Sequence, residues 1–213
     1  MKRLIHTSAV LLGLLVATPA AHAAAITVQA GGISINSTDT TAAGTLADPW
    51  LINESMTSAG TLRFESEPLG ADNPTGSGHD RGKWVQKTII NDTGITWTSF
   101  ELELQVILGT ASGQGDGLSF ADGSALTDDF FSDEFSTYTR IDVLRDYLNF
   151  SGGEVLAGES VTFAFAITDN IANDPFYLLQ TANKVDRLPE PGSLLLVALG
   201  LGGLAYARRR SGA

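Results

Sequence analysis

Acidic residues and glycines are interspersed between residues 113 and 134, a composition typical of loops that bind a hard cation. Asp116 lies between two glycines, Asp122 precedes another glycine, and Asp128 begins an Asp-Asp pair. Calcium takes several oxygen ligands, and glycine lets backbone carbonyls turn toward an ion. The spacing matches no EF-hand loop. We therefore predict a single calcium site near Asp116, Asp122 and Asp128, with an acidic surface loop as the alternative.

Residue types that support catalysis are scarce. His6 and His22 lie in an N-terminal segment with the features of a leader, so His79 is the one histidine in the rest of the sequence. A zinc site built on histidines and cysteines therefore has no basis, and no nucleophile-elbow pattern accompanies His79. Glu65 and Glu67, or Glu101 and Glu103, share one strand face, as a glycosidase pair could, but outward glutamates are also how a sheet meets water. We expect no catalytic residue and no enzyme activity.

Two tryptophans indicate a candidate carbohydrate site. Trp84 begins a predicted strand, and Trp97 has the opposite parity to Phe100, which predicts an outward ring. Carbohydrate-binding modules stack sugars on exposed tryptophan rings, and residues 115–123 are loosely similar to the Asp-Gly-hydrophobic-x-Phe stretch of lectin sandwiches. Packing inside the domain is the alternative role for both rings.

Three unlike signals follow one another at the C-terminal end. The tripeptide Pro189-Glu190-Pro191 stays extended, because each proline fixes φ and removes a donor. Residues 193–207 are apolar, and the cluster Arg208-Arg209-Arg210 follows. As a helix the apolar run is about 22 Å long, against about 30 Å of hydrocarbon in a bilayer. Its shortness and its three glycines suit a transient membrane signal better than a permanent anchor.

This order of signals resembles the PEP-CTERM sorting signal of Gram-negative bacteria. The resemblance covers residues 188–210. It implies recognition by an exosortase, a membrane-embedded processing enzyme, and export to the cell surface or extracellular matrix. The arginines should stay in the cytoplasm while the tripeptide faces the other side. The LPxTG signal of sortases is similar, but Pro191 stands where that signal has threonine. An ordinary C-terminal anchor is the remaining alternative.

The N-terminal end predicts a cleavable signal peptide. Lys2 and Arg3 are basic, residues 9–17 form an apolar core, and Ala21 and Ala23 are the small residues of a cleavage site. The expected partners are the Sec translocon and signal peptidase, which should leave a chain that begins at residue 24.

Composition sets the conditions under which the domain must be stable. The sequence has no cysteine, so an exported domain here depends on its packed core rather than on disulfides. The net charge is −11 and becomes more negative once the basic terminal signals are removed. Such a surface repels nucleic acid and anionic lipid, and it favours solubility and cation binding. We therefore expect no nucleic-acid partner.

Alternating polarity predicts strands through the middle of the chain. After Thr96, apolar residues occupy one face of a strand (Phe100, Leu102, Leu104, Val106) and polar residues the other. Further strands are predicted over residues 84–90 and 160–169, and weaker ones over residues 33–36, 61–65, 118–121, 147–150 and 176–181. Residues 140–148 fit a short helix as well as an irregular strand. Glycine pairs at residues 31–32 and 152–153 are interpreted as breaks between strands.

These patterns predict an all-β fold, an antiparallel β-sandwich of immunoglobulin-like or jelly-roll-like type. The expected organisation is a signal peptide (1–23), the exported domain (24–182), a linker (183–188), and a sorting signal with a short transmembrane helix (189–213). The expected function is that of a structural or adhesive protein of an exopolysaccharide or biofilm matrix. The alternatives are a carbohydrate-binding, lectin-like module, with exopolysaccharide as its partner, and a secreted hydrolase. Calcium is the one cofactor that the sequence suggests, and contact with the inner membrane should be transient.

Overall fold

Strands dominate the part of the chain that the structure describes. The computed structural model covers residues 24–65, 69–113, 115–121, 130–141, 144–170 and 175–183, and no helix occurs in these ranges. The strands are β1 (Ile26–Asp39), β2 (Trp50–Phe64), β3 (Arg81–Asn91), β4 (Trp97–Gln105), β5 (Leu118–Ser119), β6 (Phe131–Ser132), β7 (Thr137–Ile141), β8 (Tyr147–Val155), β9 (Ser160–Asp169) and β10 (Phe176–Ala182).

All ten strands belong to one mixed sheet. Its order is β5-β9-β3-β2-β10-β4-β8-β7, with β1 also paired to β2 and β6 also paired to β9. Strands β2 and β3 are parallel, and the other pairs are antiparallel. The predicted all-β fold is confirmed. The prediction of a purely antiparallel sheet is wrong at β2–β3, since the connection between these two strands runs through residues 65–80 rather than through a tight hairpin.

Strand β2 joins the two halves of the sheet because its partners change along its length. Residues 50–56 pair with β3, whereas residues 60–64 pair with β10. On the other edge, β1 follows β2 throughout, with three register shifts. Bulges of this kind bend and twist a strand pair. Gly31 lies at one of them with a φ of 84°, and a Cβ there would collide with the carbonyl oxygen of Ala59.

The core lies inside the curl of this sheet. Phe163 of β9 lies 4.9 Å from the ring of Phe100 and 4.8 Å from the ring of Phe150, measured between ring centroids. Strands β4 and β8 are separated from β9 by three or more strands in the sheet order. The sheet therefore curls until its two halves face each other and enclose these fully buried rings.

The sequence patterns predict most strands correctly, but the interpretation of the glycine pairs as breaks between strands is wrong. The predicted runs at 84–90, 96–106 and 160–169 correspond to β3, β4 and β9, and each of the weaker predictions lies wholly or partly within a strand. Both glycine pairs lie inside strands β1 and β8 rather than between strands. A Cβ on Gly153 would collide with the carbonyl oxygen of Glu134, so this glycine allows close approach instead of ending the strand.

Several sequence predictions fall partly or wholly outside the described residues. Within 140–148, residues 140–141 and 147–148 lie in strands and residues 144–146 are irregular, so none of these described positions is helical. The signal peptide with Ala21 and Ala23, the tripeptide Pro189-Glu190-Pro191 and the cluster Arg208-Arg209-Arg210 lie outside the described ranges. The domain boundaries therefore stay predictions.

Candidate functional site

A buried carboxyl at Asp146 shares a serine with the predicted calcium ligand Asp116. Ser112 Oγ lies 2.9 Å from both carboxyl oxygens of Asp116 and 3.1 Å from Asp146 Oδ2. Ser119 Oγ lies 3.3 Å from Asp146 Oδ1. Asp146 is 2% exposed. One hydroxyl carries one proton, so Ser112 cannot donate to both carboxyls at once.

The surroundings of Asp146 raise the pKa of its carboxyl group. Burial raises the pKa of Asp146 to about 6; the hydrogen bond from Ser112 opposes the rise, the charge of Asp116 adds to it, and the charge of Arg140 opposes it. Arg140 Nη2 also donates to Ser119 Oγ at 3.1 Å and to the carbonyl oxygen of Ala121 at 2.6 Å. A protonated Asp146 can donate to Ser112, which then donates to Asp116.

Calcium binding stays a prediction for this region. Asp122 and Asp128 lie outside the described residues, so only Asp116 of the three predicted ligands can be placed. Among the residues that the structure describes, no group of three or more His, Asp or Glu side chains is arranged to hold a metal ion. Sequence reasoning missed Asp146 because it lies within residues 140–148, a segment with helical spacing, away from the glycine-rich acidic run.

Replacing Asp146 with Asn should change how stability depends on pH. The pKa of Asp146 is raised on folding, so the folded state holds its proton more tightly, and the wild type loses stability as pH rises from about 4 to about 6. We expect the wild type to lose about 1–2 kcal/mol relative to Asp146→Asn across that window. Urea unfolding at several pH values measures this difference, with the exposed Asp92→Asn as the control. A pH-independent difference would contradict the proposed protonation.

Glu101 and Glu103 form the second cluster, on the face of β4 that points away from the core. Arg145 Nη2 donates to Glu101 Oε1 at 2.7 Å and also contacts Glu103 Oε2. The guanidinium lies over the Tyr147 ring, 4.3 Å from its centroid. Gln105 Nε2 donates to Glu103 Oε1 at 2.9 Å. One arginine therefore holds both carboxylates of the candidate glycosidase pair.

The interpretation of these glutamates as water-facing is wrong, although they do share a face. Glu101 is 3% exposed and Glu103 is 7% exposed. Burial lowers the pKa of Arg145, but the charges of Glu101 and Glu103 and their hydrogen bonds outweigh it, so that the net shift is upward. Each carboxylate is thus committed to a cation. Of the other candidate pair, Glu65 and Glu67, the second residue lies outside the described residues.

The two candidate carbohydrate-binding tryptophans are buried. Trp84 is 3% exposed and packs edge-on against Phe130, with ring centroids 5.6 Å apart. Trp97 is fully buried beside Phe100, and its indole nitrogen donates to Thr93 Oγ1 at 3.0 Å. The prediction that Trp97 points outward is wrong, because the ladder shifts register between Trp97 and Ser99. Stacking needs an accessible ring, so the alternative role in packing describes these two residues.

Asn183, the last described residue, is held beside the start of β4. Asn183 follows β10 with a φ of 53°, a left-handed conformation that asparagine tolerates. Its side chain accepts from the Thr98 amide at 2.7 Å and donates to the Thr96 carbonyl at 2.9 Å, and its own amide donates to the Ser99 carbonyl at 2.9 Å. The tail after residue 183 therefore starts from a clamped position on the sheet.

Among the described residues, no helix has the length and apolar character needed to span a bilayer. The tail lies outside them.

Comparison with known proteins identifies the tail. Residues 188–210 match the family model of the PEP-CTERM protein-sorting motif. No curated protein and no solved structure matches the chain. Such a motif implies an exported protein that an exosortase processes and that is anchored transiently in the membrane. The match confirms the resemblance predicted from the Pro-Glu-Pro tripeptide, the apolar run and the arginine cluster: this chain carries a PEP-CTERM sorting motif at its C-terminal tail.

Proposed function

We propose that this protein is a structural or adhesive component of the cell surface or extracellular matrix, released there after exosortase processing. The match to the sorting motif over residues 188–210 carries the proposal, since it accounts for export and processing. The hydrogen bonds of Asn183 to Thr96 and Thr98 support it, because they fix the last described residue before the sorting motif beside the start of β4. The acidic composition favours a soluble, hydrated surface.

A non-enzymatic role is part of this proposal. A glycosidase needs one carboxylic acid that keeps its proton and one carboxylate free to act as base or nucleophile. Glu101 and Glu103 instead share the guanidinium of Arg145, so both carboxylates are engaged in an ion pair. The buried Trp84 and Trp97 likewise argue for a structural role over a lectin-like one.

The two facing halves of the sheet support a sandwich-like arrangement. Aromatic contacts join β9 to β4 and β8 across the core. We propose that the exported domain is a two-layer β-sandwich in which β1 and β2 pass from one layer to the other. Such a domain buries its apolar face without disulfides, as a cysteine-free exported chain requires.

Changing the tripeptide should block processing. Glu190→Gln removes the negative charge with little change in shape, and we expect the amount of processed protein to fall on the order of tenfold or more, as for a lost charge-assisted contact. Mass spectrometry of protein from a host that encodes an exosortase measures the processed fraction. The control is Glu154→Gln, which removes the same charge from an exposed site on β8. Normal processing of Glu190→Gln, or equal loss in both variants, would count against recognition of the tripeptide.

A test of polysaccharide binding distinguishes the matrix role from the lectin-like alternative. Deletion of the protein should reduce cell aggregation, while the purified protein should fail to bind polysaccharides on a glycan array. Specific binding to one glycan would replace the structural role with carbohydrate recognition at a site other than Trp84 and Trp97.

A further inference from the structure

A lysine, a glutamate and a glutamine meet in the centre of the curled sheet. Lys87 on β3, Glu54 on β2 and Gln180 on β10 are each fully buried. Lys87 Nζ lies 2.6 Å from Glu54 Oε2, and Gln180 Nε2 donates to the same oxygen at 3.3 Å. The amine and the amide are therefore neighbours around one carboxylate oxygen, on three different strands.

The polar atoms of this cluster are poorly satisfied. Glu54 Oε1 and Gln180 Oε1 are buried without a hydrogen-bond partner, and Lys87 Nζ makes no hydrogen bond of good geometry despite its closeness to Glu54. Buried polar groups are nearly always hydrogen-bonded, because leaving them unpaired is costly. Three such atoms in one place point to a chemical state in which all of them have partners.

We propose that Lys87 and Gln180 react to form an intramolecular isopeptide bond, with Glu54 relaying the proton. In the product, all three of these atoms can have hydrogen-bond partners. The new amide has one N–H, on the former Lys87 nitrogen, and one carbonyl, the former Gln180 Oε1. A protonated Glu54 can accept from that N–H at one oxygen and donate to that carbonyl from the other.

The reaction needs no other reagent. Glu54 takes a proton from the Lys87 ammonium, and the neutral amine attacks the side-chain carbonyl carbon of Gln180. The bond from Nζ to that carbon forms, and the bond from the carbon to Gln180 Nε2 breaks. Glu54 delivers a proton to the departing nitrogen, which leaves as ammonia, and a proton lost by the attacking nitrogen returns to Glu54. Atoms and charges balance, and no oxidation occurs.

The surroundings favour this chemistry. Burial lowers the pKa of Lys87, although the negative charge of Glu54 opposes the shift, and a neutral amine is the nucleophilic form. In the strand ladders Lys87 lies opposite Ile52, and Gln180 lies opposite Leu102, so apolar residues adjoin the cluster. Exclusion of water suppresses hydrolysis of the amide, and the folded sheet holds the reacting groups together.

Such a bond would covalently join β3 to β10, and so would cross-link the two halves of the sheet. Strand β10 directly precedes the clamped exit of the tail, and Lys87 lies on β3 in the other half of the sheet. The chain has no cysteine with which to make the same connection. The inference rests on the buried cluster alone and does not require the proposed matrix role.

Peptide mapping of the protein in the form that its host exports tests the bond directly. After denaturation and trypsin digestion, the bond would leave Lys87 uncut and would join residues 84–140 to residues 146–184. The joined species should be lighter than its two peptides by one ammonia. Lys83, which pairs with Asp72 rather than with an amide, is the internal control and should be cut normally.

Variants identify the roles of the three residues. Lys87→Arg keeps the positive charge and the trypsin site but cannot form the bond, so it should give separate peptides and a melting temperature lower by on the order of 10 °C. Glu54→Gln should restore most cutting at Lys87 while both reacting residues are kept. Complete cutting at Lys87 in the wild type, with unmodified residues 146–184, would overturn the proposal. A species that joins Lys87 to the peptide ending at Arg63 and is lighter by one water would overturn Gln180 as the acceptor.

Discussion

Replacing Phe163 with Ala is expected to lower the free energy of unfolding by about 3–5 kcal/mol, the usual range for a phenylalanine truncated in a core. Phe163 is fully buried on β9, and its ring contacts Phe100, Phe135 and Phe150. These partners come from other parts of the chain than β9, so the cavity would open between the two facing halves of the sheet. The rigid neighbouring rings cannot collapse fully into such a space.

Urea unfolding followed by tryptophan fluorescence measures this loss, because Trp84 and Trp97 are buried and report on the core. Phe131→Ala is the matched control. Phe131 lies on β6, which also pairs with β9, but its side chain is half exposed, and its loss should cost less than about 1 kcal/mol. Equal effects of the two substitutions would contradict the placement of Phe163 between the halves of the sheet.

Replacing Arg145 with Ala should also lower the free energy of unfolding by about 3–5 kcal/mol at pH 7, as expected for a buried ion pair that loses one partner. The substitution leaves two buried carboxylates, Glu101 and Glu103, side by side without their cation. It also removes the guanidinium from the face of Tyr147. Because the substitution creates unpaired charge, its cost should depend on pH.

The direction of that dependence follows from proton binding. Without Arg145 the folded state disfavours two negative charges and so holds protons more tightly than the unfolded chain does. The deficit should therefore shrink as pH falls toward about 4, where glutamates become protonated. Unfolding of Arg145→Ala and wild type at pH 4 and pH 7 checks this.

Two variants serve as controls for Arg145. Arg63→Ala removes an arginine from a partly exposed pair with Glu65, and it should cost about 1 kcal/mol or less. Adding Glu101→Gln and Glu103→Gln to Arg145→Ala should recover much of the stability. A deficit in Arg145→Ala that stays constant with pH would show that lost packing rather than unpaired charge is responsible.

The sequence predicts local features of this protein well because they depend on short-range periodicity. The buried face of β4, with Phe100, Leu102 and Leu104, follows from the pleat of a strand. The sorting tail was identified for a similar reason, since its signals stand next to one another in the sequence and need no folded context.

Features that depend on distant partners could not be predicted. The burial of Glu101 and Glu103 depends on Arg145, which is more than 40 positions away in the sequence. The outward orientation expected for Trp97 fails because a register shift changes its face, and such a shift has no sequence period. The parallel pairing of β2 with β3, and the meeting of Lys87 with Gln180, likewise arise only when the sheet closes.

The place of β10 in the sheet has a consequence for the order in which the protein can be completed. This strand inserts between β2 and β4, and it is the last of the ten in the sequence. In a chain that emerges with its N-terminus first, the edges of β2 and β4 that pair with β10 would stay unpaired, as an open seam, until residues 176–182 have also emerged. The sheet would then be completed at about the time the tail emerges. The sorting motif would therefore become available only when the domain can finish folding.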